Sequence, residues 1–306
     1  MALLTHWIKL RQIKKSRSWN TDPLLLTKIL SGVVVGAAII LSVLFFKLAW
    51  LLMVIFLSVT GTHELHRMLQ VKGYRVQFVL PALINVILLS VVYFLVDSDF
   101  SKIVDNWSVG HAPVISLLNM LMIFSSLILI TRCLFLLPRA TIPELVSPLF
   151  QIAYLGWFPC FFILLRSIPQ GEYFLIWCLT SVAFSDIGAY FAGKYLGKRP
   201  YFQHLSPNKT REGAIGGIAA SVGMAFLLAA LFGKWLPMPW YHTLILAVGA
   251  ACLGQVGDLI ESLIKRDANV KDSGTFIPGH GGMLDRIDSY LLLAPFLYYY
   301  LVNFVL

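Results

Sequence analysis

The sequence predicts an all-α, polytopic integral membrane protein with about nine transmembrane helices and a cytoplasmic N-terminus. Three observations carry this expectation. Hydrophobic residues make up 58% of the 306-residue chain and charged residues only 13%, and the mean hydropathy is +0.78. Apolar runs of about twenty residues recur, the length that crosses a bilayer as a helix. Lysines and arginines gather on alternate sides of these runs, as they do in helical membrane proteins.

The elements follow in order. A basic tail, 1–27, carries Lys9, Arg11, Lys14, Lys15 and Arg17, with Trp7, Ile8, Leu10 and Ile13 interleaved. It fits a short interfacial helix or a juxtamembrane tail, and no Ala-x-Ala site marks it as a cleaved leader. The predicted spans are 28–46, 48–66, 76–96, 114–136, 145–165, 172–193, 213–235, 241–262 and 287–305. The first two, separated by little more than Lys47, form a helical hairpin. Gly32 and Gly36 give the first span a Gly-x-x-x-Gly stripe, a candidate packing face. Residues 28–170 read as an N-terminal set of transmembrane helices, and 171–306 as a C-terminal catalytic region.

Orientation follows from the cations. With the N-terminus inside, the cytoplasmic side collects six in the tail and at Lys28, three from Arg67 to Arg75, Arg132 and Arg139. It gains five more from Lys194 to Arg211 and four from Lys265 to Arg286. That makes 20 cations, against 4 on the other side: Lys47, Lys102, Arg166 and Lys234. This bias sets the topology and assigns the +9 net charge to loops facing anionic lipid rather than to nucleic acid. Both polar loops of the C-terminal half, 194–212 and 263–286, then face the cytoplasm. The sequon Asn106-Trp-Ser108 falls on the outer side. Cys133, Cys160, Cys178 and Cys252 lie in apolar runs without a CxxC pair, which disfavours a zinc site or disulfide framework and suits packing.

Chemistry concentrates near the C-terminus. On the eighth span Asp258, Glu261 or Ser262, and Lys265 recur three or four apart, so one helical face carries a polar stripe. A carboxylate at the membrane boundary is costly unless paired, hydrated or metal-bound. The loop that follows brackets Pro278-Gly-His-Gly-Gly282 with Lys271-Asp272 and Asp285-Arg286-Ile287-Asp288. Asp285 and Asp288 share a face at a helix start, where both metal binding and capping fit. Gly281 and Gly282 can expose N–H groups to an anion. Asp186 lies within the sixth span, where an ionisable group points to function. Ser206-Pro-Asn-Lys-Thr210 offers hydroxyls and a cation ahead of the seventh span. His63-Glu-Leu-His66 is no zincin motif, because a zincin needs its second histidine at position 67, which is Arg67. No P-loop or dinucleotide fingerprint is present.

The 262–288 segment resembles the pattern of the phosphatidate cytidylyltransferases, the CDP-diacylglycerol synthases. The matching residues are Ser262, Lys265-Arg266, Lys271-Asp272, Gly274, Pro278, His280-Gly281-Gly282, Asp285-Arg286 and Asp288. The resemblance continues through Asp186-Ile-Gly-Ala-Tyr190 and Ser206-Pro-Asn-Lys-Thr-Arg-Glu-Gly213, departs at Ile187 and Arg211, and thins to hydropathy before about residue 150.

It implies a nucleotidyltransferase that makes CDP-diacylglycerol and pyrophosphate from CTP and phosphatidate, using Mg²⁺ or another divalent cation. On that resemblance Asp258 and Asp285 hold the metal, with Asp288 or Asp186 as a further ligand or behind it. Lys209, Lys265, Arg266, Lys271 and Arg286 clamp phosphate, and Ser206, Thr210, His280, Gly281 and Gly282 line the substrate site. Phosphatidate enters from the cytoplasmic leaflet of the cell membrane, and a homodimer is a family-level expectation. Two other readings stay open from the residues alone. One is a CTP-dependent polyprenol or phytol kinase with His280 as base. The other is a transporter with Asp186 and Asp258 as its ion path, disfavoured by the absence of a repeat.

Overall fold

A computed structural model describes residues 23–97, 112–136, 141–202, 205–206, 208–274 and 281–306. His280, Pro207, the sequon and the tail up to residue 22 lie outside the described residues. The helices in chain order are α1 (Pro23–Phe45), α2 (Lys47–Val71), α3 (Val79–Asp97), α4 (Ala112–Leu136), α5 (Ile142–Ile152) and α6 (Phe158–Ser167). They continue with α7 (Gly171–Leu196), α8 (Arg211–Leu231), α9 (Trp240–Asp267), α10 (Leu284–Leu291) and α11 (Leu293–Phe304). A π-helical turn, Ala153–Trp157, joins α5 to α6.

Among the described residues, seven helices are long and apolar enough to cross a membrane, α5 and α6 together forming one 26-residue span. The expected ninth span is two helices that break at Leu292. Pro295 has no N–H to offer the carbonyl of Leu291, so the ladder is interrupted there. The α5–α6 span is the most buried of the seven. Its disturbed ladder has a related cause: Pro159 cannot donate to the Leu155 carbonyl, and the Ser58 hydroxyl of α2 donates to it instead. Large apolar side chains such as Leu83, Ile87, Ile123 and Leu127 are exposed. In water that belt would be a liability; in lipid it is the expected surface.

Packing fixes which helices meet. α7 and α8 touch through small residues. A Cβ on Gly188 would lie 2.3 Å from the Ala220 Cβ, and one on Gly216 would lie 2.2 Å from the Ala192 Cβ. Gly32 and Gly36, the candidate packing face, lie on α1. A Cβ on Gly36 would meet nothing within 4 Å, and both glycines line an apolar groove instead. Cys133, Cys160 and Cys178 are buried as packing residues, while Cys252 is exposed. Ion pairs brace both ends of the bundle: Lys47–Asp97 at 2.6 Å and Arg166–Glu172 at 3.0 Å on one side, Lys72–Asp267 at 2.9 Å on the other.

Candidate active site

The polar stripe of α9 is real, and α9 runs on to Asp267, beyond the predicted end at 262. Small residues on its other register let α10 approach. A Cβ on Gly257 would sit 2.2 Å from the Asp288 carbonyl oxygen, so only glycine permits this contact. The approach brings Asp288 beside Asp258 and Glu261. One carboxylate oxygen from each lies within 4.8 Å of the other two. Glu261 and Asp288 are buried, at 0% and 4% exposure, whereas the Asp258 side chain keeps 34%.

Three carboxylates this close repel one another unless cations intervene. Two lysines reach the cluster. Lys209 pairs with Asp258. Lys265 bridges Glu261, at 2.7 Å, and Asp285, at 2.6 Å. Among the described residues, Glu261 Oε1 is buried with no hydrogen-bond partner. A buried carboxylate oxygen left bare costs free energy, and oxygen-only donors suit a hard divalent cation. The residues present fit such an ion.

Asp285, expected on the metal, has both carboxylate oxygens hydrogen-bonded to the protein. Oδ1 takes Lys265, and Oδ2 accepts from Ser273 N at 3.1 Å, Ser273 Oγ at 3.0 Å and Gly282 N at 2.8 Å. Burial alone would raise its carboxyl. The interactions with Glu261, Lys265 and the Gly282 N–H outweigh burial and hold Asp285 well below the ordinary carboxylate range. Lys265, expected to clamp phosphate, points inward with 15% exposure and ties α9 to α10. Asp186 is exposed and lies outside the three-carboxylate group. Arg266 donates from Nε to the Leu205 carbonyl at 3.2 Å, and Lys271 is exposed.

The glycine segment also departs from expectation. Gly281 has φ +82 and turns the chain into α10. The N–H groups it delivers are already taken by the protein's own carboxylates. Gly282 N donates to Asp285, while Met283 N and Leu284 N donate to Glu64 at 2.9 and 2.8 Å. Ser273 Oγ adds a bond to Glu64 at 3.1 Å. Glu64 is the residue that sequence reasoning missed. It belongs to the His63–His66 motif set aside as no zincin, and only its charge within an otherwise apolar stretch hinted at a role.

Asp258 of the cluster lines one cavity, and α10, which carries Asp288, lines another. The polar one, about 510 Å³, is lined by Asp186, Tyr190, Lys194, Tyr201, Asn208, Lys209, Thr210 and Asp258, among others. Thr210 caps α8, its Oγ1 accepting from Gly213 N at 3.1 Å. The loop ahead is held by Glu212, which accepts from the N–H groups of Lys198 and Arg199. Ser206 is half-buried in that loop. The second cavity, about 440 Å³, is an apolar groove between α1, α2, α6, α7 and α10, with Arg286 at its rim beside Met283 and Tyr290. Asp186 and Lys209 line the polar cavity, and Arg286 lines the groove.

Seven apolar helices carrying a carboxylate cluster and a polar cavity mark a polytopic membrane protein with an enzyme-like site. The comparisons give the family. A model of the cytidylyltransferase family matches residues 26–304, and the chain belongs to that family. Its relatives include the phosphatidate cytidylyltransferase of Bacillus subtilis (strain 168), 35% identical over 280 residues, which cover 90% of this chain and 97% of the relative. The phosphatidate cytidylyltransferase of Synechocystis sp. is 37% identical over 205 residues, 56% of this chain and 67% of its own length. That of Staphylococcus aureus (strain COL) is 42% identical over 151 residues, 49% and 56% of the two chains.

Proposed function

We propose that this chain is a phosphatidate cytidylyltransferase, converting CTP and phosphatidate into CDP-diacylglycerol and pyrophosphate. The observation that carries this is a polar cavity that includes Asp258 of the carboxylate cluster, with an apolar groove lined by Arg286 of α10, the helix that carries Asp288. A nucleotide triphosphate suits the first cavity, and a diacyl lipid whose head reaches Arg286 suits the second. In the reaction a phosphatidate oxygen attacks the α-phosphorus of CTP. A new P–O bond forms as the bond to the β-phosphate breaks, and pyrophosphate leaves with the electron pair. The nucleophile is already an anion, so no general base is required. Catalysis is then positioning and charge neutralisation.

Asp258, Glu261 and Asp288 would hold a divalent cation such as Mg²⁺, in place of the pair Asp258 and Asp285. When bound, the ion neutralises triphosphate charge and polarises the reacting phosphoryl group. Lys209 lies at the wall shared by the polar cavity and the cluster, where it can exchange Asp258 for a phosphate oxygen. Lys194 and Thr210 line the same cavity. Arg286 holds the lipid phosphate at the head of the groove, and the acyl tails stay in the apolar channel. Lys265 and Asp285 position the cluster without touching substrate. The 20:4 cation bias supports a cytoplasmic-facing site in the cell membrane.

The test is product analysis. Purified protein in lipid nanodiscs, given labelled CTP, Mg²⁺ and phosphatidate, should release pyrophosphate and form CDP-diacylglycerol. Formation of CDP with a phosphorylated lipid, or no nucleotide consumption at all, would refute the proposal.

A further inference from the structure

Gln255 lines the polar cavity together with Asp258, one turn further along α9. Its Nε2 donates to the Ala214 carbonyl of α8 at 3.1 Å. A carbonyl oxygen has two lone pairs, so Ala214 accepts this bond beside the one its own helix supplies. Only the NH₂ end of an amide donates, so the bond fixes which way the Gln255 amide faces. Oε1 is the end left to the cavity, and among the described residues it has no hydrogen-bond partner. The rest of the cavity sorts by charge. Lys194 and Lys209 are its cations, and cations suit phosphate. Of its two amides, Asn208 is exposed, whereas Gln255 is half-buried and tied to α8. Ala189, Gly213 and Ala214 present only small side chains there, which leaves width for a flat ring.

A fixed acceptor of this kind distinguishes one pyrimidine from another. Cytosine carries an amino donor at ring position 4, where uracil carries a carbonyl acceptor. An oxygen that cannot rotate away pairs with the first and opposes the second. Gln255 and Asp258 are three residues apart on one helix face, with Cβ atoms about 5–6 Å from each other. That spacing accommodates a ribose between an α-phosphate near Asp258 and a base at Gln255. We propose that Gln255 is a specificity-determining residue, its Oε1 accepting from the 4-amino group of cytosine and so selecting CTP over UTP. The role rests on the cytidylyl-transfer reading above and deepens it by naming the group of the nucleotide that the cavity reads. Because the Ala214 bond holds the amide in place, the preference is built in before the nucleotide arrives.

The probes are CTP, UTP and the triphosphate of the pyrimidin-2-one nucleoside, which is cytidine without its 4-amino group. Full-length protein in nanodiscs receives each with Mg²⁺ and phosphatidate, and pyrophosphate release gives kcat/KM. Gln255→Met keeps the side-chain length and removes both polar ends. The parent should prefer CTP to the deamino analogue by about tenfold to a hundredfold, and to UTP by at least as much. Gln255→Met should bring both ratios close to one. Each ratio is taken within one protein, so incomplete folding cancels. Gln255→Asn, with its acceptor drawn back by one methylene, should also lower the ratios, and it supplies the reading if Gln255→Met does not insert. A glutamine that merely braced α8 against α9 would lower all three rates together and leave the ratios alone. Parent-like ratios in the variants, or a parent that uses the deamino analogue as well as CTP, overturn the role of Gln255 and leave cytidylyl transfer standing. Folded variants that turn over none of the three nucleotides overturn it as well. No pyrophosphate from CTP in the parent overturns cytidylyl transfer and this role with it.

Discussion

Glu64 should anchor the catalytic segment. Its two carboxylate oxygens accept three hydrogen bonds from the far end of the chain: Met283 N on Oε1, and Leu284 N and Ser273 Oγ on Oε2. Space around it is used completely. A Cβ on Gly274 would lie 2.3 Å from Oε1, and one on Gly282 would lie 2.7 Å from Oε2. Glu64→Ala leaves the Met283 and Leu284 N–H groups buried without an acceptor. Ser273 Oγ keeps its bond to Asp285. Two orphaned donors at about 1–3 kcal/mol each give a destabilisation of about 2–6 kcal/mol. Loss of a negative charge at the α10 N-terminus adds up to about 1 kcal/mol. Glu64→Gln keeps one oxygen and turns an amide donor toward the other N–H, so it should cost about half as much. The assay is thermal unfolding in nanodiscs, with cytidylyl transfer measured on the folded fraction. The expected order of stability is parent, Glu64→Gln, then Glu64→Ala, with activity falling in the same order as α10 loses its placement. If Glu64→Ala melts with the parent and turns over normally, the anchoring argument is wrong.

Asp258→Asn and Asp288→Asn should each lower turnover at least about a hundredfold, since a bound cation supplies several kcal/mol of charge stabilisation. Parent-like initial rates would remove that carboxylate from the proposed metal site. Lys265→Met should destabilise by about 3–5 kcal/mol, because Glu261 and Asp285 lose the cation between them. Chemical denaturation read by tryptophan fluorescence measures this, and an unshifted midpoint would contradict it. Gly257→Ala should force α9 and α10 apart by about 1 Å and cost activity on the order of a hundredfold. Gly36→Ala, which meets nothing within 4 Å, should leave melting unchanged or slightly raised. Equal activity in Gly257→Ala and the parent would show that the helix contact does not set the site.

Some of this was open to a linear reading and some was not. Spans are set by local hydropathy and by a fixed rise per residue, so α2, α3, α4, α7, α8 and α9 could be placed from the sequence alone. The shared face of Asp258, Glu261 and Lys265 was legible for the same reason, because helical periodicity is a property of neighbours. The kind of chemistry followed from charge density in an apolar chain. Partner choice was not legible. Asp285 and Asp288 are three residues apart and look equivalent, yet Asp285 meets Lys265 and Ser273 while Asp288 meets Asp258 and Glu261. Glu64 acts 209 residues from Ser273 in sequence, and it takes the Met283 and Leu284 N–H groups that follow the glycines. The break at Leu292 and the π turn holding Tyr154 likewise depend on which carbonyls a proline leaves unpaired. Composition and periodicity determine what each segment is. The close approach of α9, α10 and α2, permitted by Gly257, Gly274 and Gly282, determines which charges share a space, and in a low-dielectric interior that proximity assigns each its role.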